Sequence, residues 1–100
     1  MIKVNIKKDD VIDFVEIKGH ACYADFGKDI VCASVSSILI TTVNAIVRID
    51  SNSIDYNLND GVFVKVLKHT EVIDKLLINL EELLIDLQKQ YPKYIEIRRC

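Results

Sequence analysis

His20 and Cys32 are the two residues of this chain whose types support nucleophilic chemistry, a thiolate to attack and an imidazole to take and return the proton. They lie in the run GHACYADFGKDIVCASVS, residues 19–36, the one stretch whose composition folding alone does not explain. Asp29 has the side-chain oxygen that caps a helix, which predicts a helix starting just after it and Cys32 in the first turn. Unpaired N–H groups and the helix dipole favour an anion there, so the thiol is expected to ionise readily. Residues 19–29 carry two of the three glycines, Gly19 and Gly27, and read as a loop of about ten residues. A loop of that length can fold His20 back over the helix start. The bland reading stands beside this one: a cysteine in a first turn also serves as a small buried apolar residue. A histidine at a strand end is also commonly a surface group. Residue types alone leave both readings open.

The elements that position this run are legible as periodicities. Ile2, Val4 and Ile6 alternate with Lys3, Asn5 and Lys7, which predicts a half-buried strand. Lys8-Asp9-Asp10 reads as a turn and residues 11–18 as a second strand, together an N-terminal hairpin. The first helix carries an apolar stripe at Val31, Val35, Ile38, Leu39, Thr42, Val43 and Ile46 and ends near Arg48. Ile54, Tyr56 and Leu58, then Val62, Val64 and Val66, alternate on either side of Asn59-Asp60-Gly61, a second hairpin. Thr70 is positioned to cap a second helix with the stripe Ile73, Leu76, Leu77, Leu80, Leu83, Leu84 and Leu87, stopped by Pro92. Residues 94–98 alternate once more. The order ββαββαβ predicts an α+β fold, two helices on one face of a mostly antiparallel sheet of about five strands. No linker or low-complexity tract interrupts residues 1–100, which read as a single domain.

Composition narrows the function classes. Half of the residues are apolar, enough for one core, and the formal net charge is −2. Lys and Arg form no run, so direct nucleic-acid binding is not expected. The N-terminus alternates charge and has no signal-peptide core. The apolar stretch around residues 30–47 is interrupted by Ser34, Ser36, Ser37, Thr41, Thr42 and Asn44, and reads as too polar to span a bilayer. These features predict a cytoplasmic protein with reduced thiols. Its three cysteines, Cys22, Cys32 and Cys100, are odd in number and make no disulfide framework. With His20 they are four soft ligands, but their spacing is not a recurrent zinc pattern, and neither metal nor cofactor is expected.

The whole run resembles the signature of the ribosomal-processing cysteine proteases (Prp). The resemblance is carried by Gly19-His20-Ala21, Tyr23-Ala24, Gly27, Asp29-Ile30-Val31-Cys32-Ala33 and Val35-Ser36. The family's His and Cys match His20 and Cys32 at the family's spacing, and its Gly, Asp and Ser match Gly19, Asp29 and Ser36. Cys22 and Ser34 stand where the family pattern has small residues. The resemblance implies an endopeptidase that removes an N-terminal extension from a large-subunit ribosomal protein. It also implies a homodimer and a mobile loop over the site, here residues 21–28.

In that frame Cys32 is the nucleophile and His20 its base, with helix-start N–H groups, that of Cys32 included, holding the oxyanion. Asp29 caps the helix or also orients His20. Ser36, one turn after Cys32, lines the site or permits close packing. Tyr23 and Phe26 bind an aromatic peptide segment or anchor the loop. The alternative class is a non-catalytic, ribosome-associated peptide-binding module, which needs the loop and helix but no reactive thiol.

Overall fold

The computed structural model describes residues 1–19, 26–59 and 61–99, with residues 26–29 described through their backbone alone. In chain order the elements are β1 (Ile2–Asp9), β2 (Val11–Lys18), α1 (Phe26–Ile49), β3 (Ile54–Asn57), β4 (Val62–Val66), α2 (Glu71–Gln90) and β5 (Ile95–Arg99). This is the ββαββαβ order that the periodicities predict. The five strands form one sheet, β3-β4-β2-β1-β5. Every pairing is antiparallel except β1 with β5, which run parallel with Val4 opposite Ile97.

Alternation sorts the sheet into two faces. Ile2, Val4 and Ile6 of β1, Val15 and Ile17 of β2, Val62 and Val64 of β4 and Ile95 of β5 are buried on one side. They join the buried stripes of α1 and α2 in a single apolar cluster. The other face carries the polar members of each strand and two phenylalanines, Phe14 and Phe63. The first hairpin turns tightly at Asp10, at a φ of 65°, and the register slips by a bulge between Lys7 and Lys8.

The second helix begins as its sequence dictates. Thr70 sits in extended backbone, and its hydroxyl accepts the N–H of Ile73 at 3.3 Å. The helix ends at Gln90, two residues before Pro92, where the N–H of Tyr91 donates to the carbonyl of Leu87 at 2.9 Å.

The first helix differs from expectation at its start. It begins at Phe26, so Asp29 is its fourth residue and not its cap, and the expected ten-residue loop loses its last four positions to helix. An acidic residue suits a first turn as well as a cap, so residue type left the boundary open. Gly27, a poor helix former, gave the opposite signal and was overridden.

The span Ile30–Ile49 has a mean hydropathy of 2.1 and is long and apolar enough to cross a membrane by length and composition. The expectation that its hydroxyl residues make it too polar is corrected on that measure. Two of those hydroxyls bond their own helix, Ser34 to the Ile30 carbonyl and Thr42 to the Ile38 carbonyl, each at 2.9 Å. In this fold the stripe Val31, Val35, Leu39, Val43 and Ile46 is buried in the core.

Candidate active site

Cys32 lies on the buried stripe of α1, between Val31 and Val35, and is 0% exposed. It is the seventh residue of the helix, in the second turn and not the first. At that depth an α-helix uses each N–H for the carbonyl four residues back, and the terminal dipole acts mainly within the first turn. The expectation that the N–H of Cys32 is available to an oxyanion is therefore corrected. Ser36, one turn further on, is half-buried on the same side.

The other arm of the site leaves from the end of β2. Gly19 adopts a φ of +73°, a region in which side chains are rarely tolerated. A Cβ placed there would run into the carbonyl oxygen of Met1. The backbone of Ile2, next along, is held by its N–H donating to the carbonyl of Tyr94 at 2.9 Å. Gly19 thus passes under a fixed strand start before the chain reaches position 20. His20, Tyr23, Cys22 and Cys100 lie outside the described residues, as do positions 21–25 of the expected mobile loop; its positions 26–28 belong to α1. Phe26 and Asp29 are placed by their backbone, the first and fourth residues of α1. Gly19 and the start of α1 at Phe26 thus flank positions 20–25, and Cys32 follows within the helix.

Among the described residues no group of three or more His, Cys, Asp or Glu side chains is arranged to hold a metal ion. A groove of about 580 Å³ between the helices is lined by Ala33, Ser34 and Ser37 of α1 and by Leu83 and Asp86 of α2. Cys32 does not line it.

Two charged clusters were not singled out by sequence reasoning. His69, just before the Thr70 cap, places Nδ1 2.7 Å from Asp74 and Nε2 2.9 Å from Asp13. The Asp74 bond, joined by Asp13, raises its pKa above the ordinary 6.5 against a smaller opposing effect of burial. Glu81, 3% exposed, accepts from Lys8 at 2.9 Å and from Arg99 at 3.0 Å. Burial pushes its carboxyl up, but Lys8 and Arg99 together outweigh that and hold it below 4.5. Sequence separation hides the first cluster. The second had a signal: Glu81 falls on the apolar stripe, four residues after Leu77 and three before Leu84.

An α+β sheet with both helices on one face and a cysteine on the inner stripe of the first helix defines a small thiol-bearing scaffold. Residues 1–96 match the model of the cysteine protease Prp family. The chain is 34% identical to the ribosomal processing cysteine protease Prp of Staphylococcus aureus, covering 96% of this chain and 93% of that protein. It is 30% identical to that of Mycoplasma genitalium, covering 97% and 94%. Its fold superposes on the crystal structure of the essential S. aureus Prp in complex with a substrate peptide, with a TM-score of 0.91, 27% identity and full coverage of both chains. A second S. aureus structure, with a covalently linked product peptide, gives 0.87 at the same identity and coverage. The chain belongs to the Prp family of ribosomal-processing cysteine proteases and is a cysteine protease.

Proposed function

We propose that this protease removes an N-terminal extension from a large-subunit ribosomal protein, with Cys32 as nucleophile and His20 as its base. The observation that carries the reading is the end-to-end match to a protease crystallised with a substrate peptide and with a covalently linked product peptide. In the proposed reaction the Cys32 thiolate attacks the scissile carbonyl, and the imidazolium of His20 protonates the leaving amine. Water then hydrolyses the acyl-enzyme. The oxyanion is assigned to N–H groups of the first turn of α1, which the helix itself leaves unpartnered.

Asp29 stands in the first turn of α1, where its charge suits the helix dipole, and it is assigned the further role of orienting His20. Ser36 lines the site one turn beyond Cys32, and Tyr23 and Phe26 are assigned to the peptide's aromatic segment. Gly19 lets the chain turn beneath Met1 on its way to His20. Residues 1–100 act as one protease domain, cytoplasmic and homodimeric, without metal or cofactor.

The complete burial of Cys32 favours a second reading, a peptide-binding module in which the thiol is only packing. Alkylation separates the two. A working dyad requires Cys32 to be modified near neutral pH faster than a model thiol, and more slowly in His20→Ala. Modification no faster than the model thiol, with His20→Ala unchanged, supports the binding module instead.

A further inference from the structure

One residue of β2 stands outside the register of the sheet. Lys7 of β1 pairs with Phe14 and Lys8 with Ile12, so Asp13 is the extra residue of the bulge, and it has no register partner in β4. A bulge re-aims the side chain it carries. Here the carboxylate of Asp13 lies 2.9 Å from Nε2 of His69, across 56 positions of sequence. Asp74, in the first turn of α2, meets Nδ1 of the same ring at 2.7 Å. Ile12 and Ile73, the residues just before the two aspartates, are buried in the core, so the link fastens the helix layer to the sheet at the core's edge.

Hydrogen-bond chemistry fixes the protonation that this link needs. A carboxylate only accepts, and a neutral imidazole donates from one nitrogen alone. Two carboxylates, one at each nitrogen, are therefore both satisfied only by an imidazolium. Loss of one proton turns a lone pair toward one of the aspartates. The remaining proton belongs on Nδ1, where the bond is shorter and Asp74 is only five residues away. Asp13 is the partner released at less cost, because the ammonium groups of Lys7 on β1 and Lys65 on β4 line the same depression of about 400 Å³. Asp55 of β3 stands opposite Lys65. The other charges of the surrounding elements are engaged elsewhere: Lys8 with Glu81, Lys68 with Asp50 and Glu71 with Lys75. The His69 side chain is 32% exposed, so its protons exchange directly with solvent.

We propose that Asp13, His69 and Asp74 form a proton-dependent latch, which holds the start of α2 to the bulge in β2 while both ring nitrogens carry protons and lets go of Asp13 when one is lost. The opening is local. It leaves His69 attached to its own helix and hands Asp13 to the two lysines, and it is independent of the protease reading.

The test is NMR on the full chain, following the His69 ring nitrogens and the backbone amides as pH rises. The expected sequence is an imidazolium first, then a neutral ring protonated on Nδ1, with the amides of Asp13, Phe14 and His69 moving at the ring's midpoint. Amides of the central core, such as Val4 and Leu84, should stay in place. In Asp13→Asn the side-chain amide accepts from a charged ring or donates to a neutral one, so the ring's midpoint should move to lower pH and the β2 amides should no longer follow it. This substitution keeps size and shape at an exposed position, and the tautomer of the wild-type ring is read without any variant. A neutral ring protonated on Nε2 overturns the proposal, as does a ring that titrates without moving the β2 amides. A midpoint unchanged in Asp13→Asn, or unfolding of the whole chain at the wild-type midpoint, overturns it as well.

Discussion

Gly19 turns at a φ of +73° directly beneath the carbonyl oxygen of Met1, with no room for a side chain between them. The last residue before His20 is therefore fixed by backbone from the start of the first strand, itself tied to Tyr94. Gly19→Ala combines positive φ with a backbone clash and is expected to cost on the order of 1–2 kcal/mol. That corresponds to a Tm lower by roughly 5–15 °C. Cleavage should fall as well at temperatures where the variant is folded, because position 20 shifts. Scanning calorimetry beside a cleavage assay checks both; an unaltered Tm would show that the contact is relieved at no cost.

His69 couples β2 to the start of α2 through Asp13 and Asp74. Its raised pKa means that the folded state holds the proton more tightly than the unfolded chain. The stability it contributes is therefore fully present below about pH 6.5 and is lost as pH rises through the folded value. Urea unfolding across that window should show the wild type losing stability while His69→Ala stays flatter. NMR titration of the ring should place its pKa above that of a model histidine.

Glu81 has the opposite sign. Its lowered pKa stabilises the fold above the ordinary glutamate value of 4.5, and that contribution is lost as pH falls through the folded value. Glu81→Gln removes the charge that Lys8 and Arg99 share, at an expected cost of about 1–3 kcal/mol near neutral pH. The acid limb of the stability curve should flatten in the variant. Lys8→Met combined with Glu81→Gln should cost less than the two single changes together, because both remove the same bond.

Much of the fold was legible because local chemistry decided it. Thr70 caps α2 as its hydroxyl predicts, and Val62, Val64 and Val66 alternate inward as a half-buried strand must. What escaped depended on distance or on competing signals. The start of α1 could not be read from Asp29, since a carboxylate is favourable at a cap and within a first turn alike. Moving that start to Phe26 takes Cys32 out of the first turn, where the helix terminus acts on a thiol most strongly. The His69 cluster joins residues 56 positions apart and leaves no periodic trace. Cys32 was recognisable from its motif, whereas its burial follows from the stripe it shares with Val35 and Leu39.

The most direct test of the central claim is incubation of the purified protein, and separately of Cys32→Ala, with the extended ribosomal protein, the products being read by mass spectrometry. The expected result is cleavage at a single site by the wild type and none by the variant. Cleavage by both would contradict Cys32 as nucleophile, and cleavage by neither would contradict the proposed substrate.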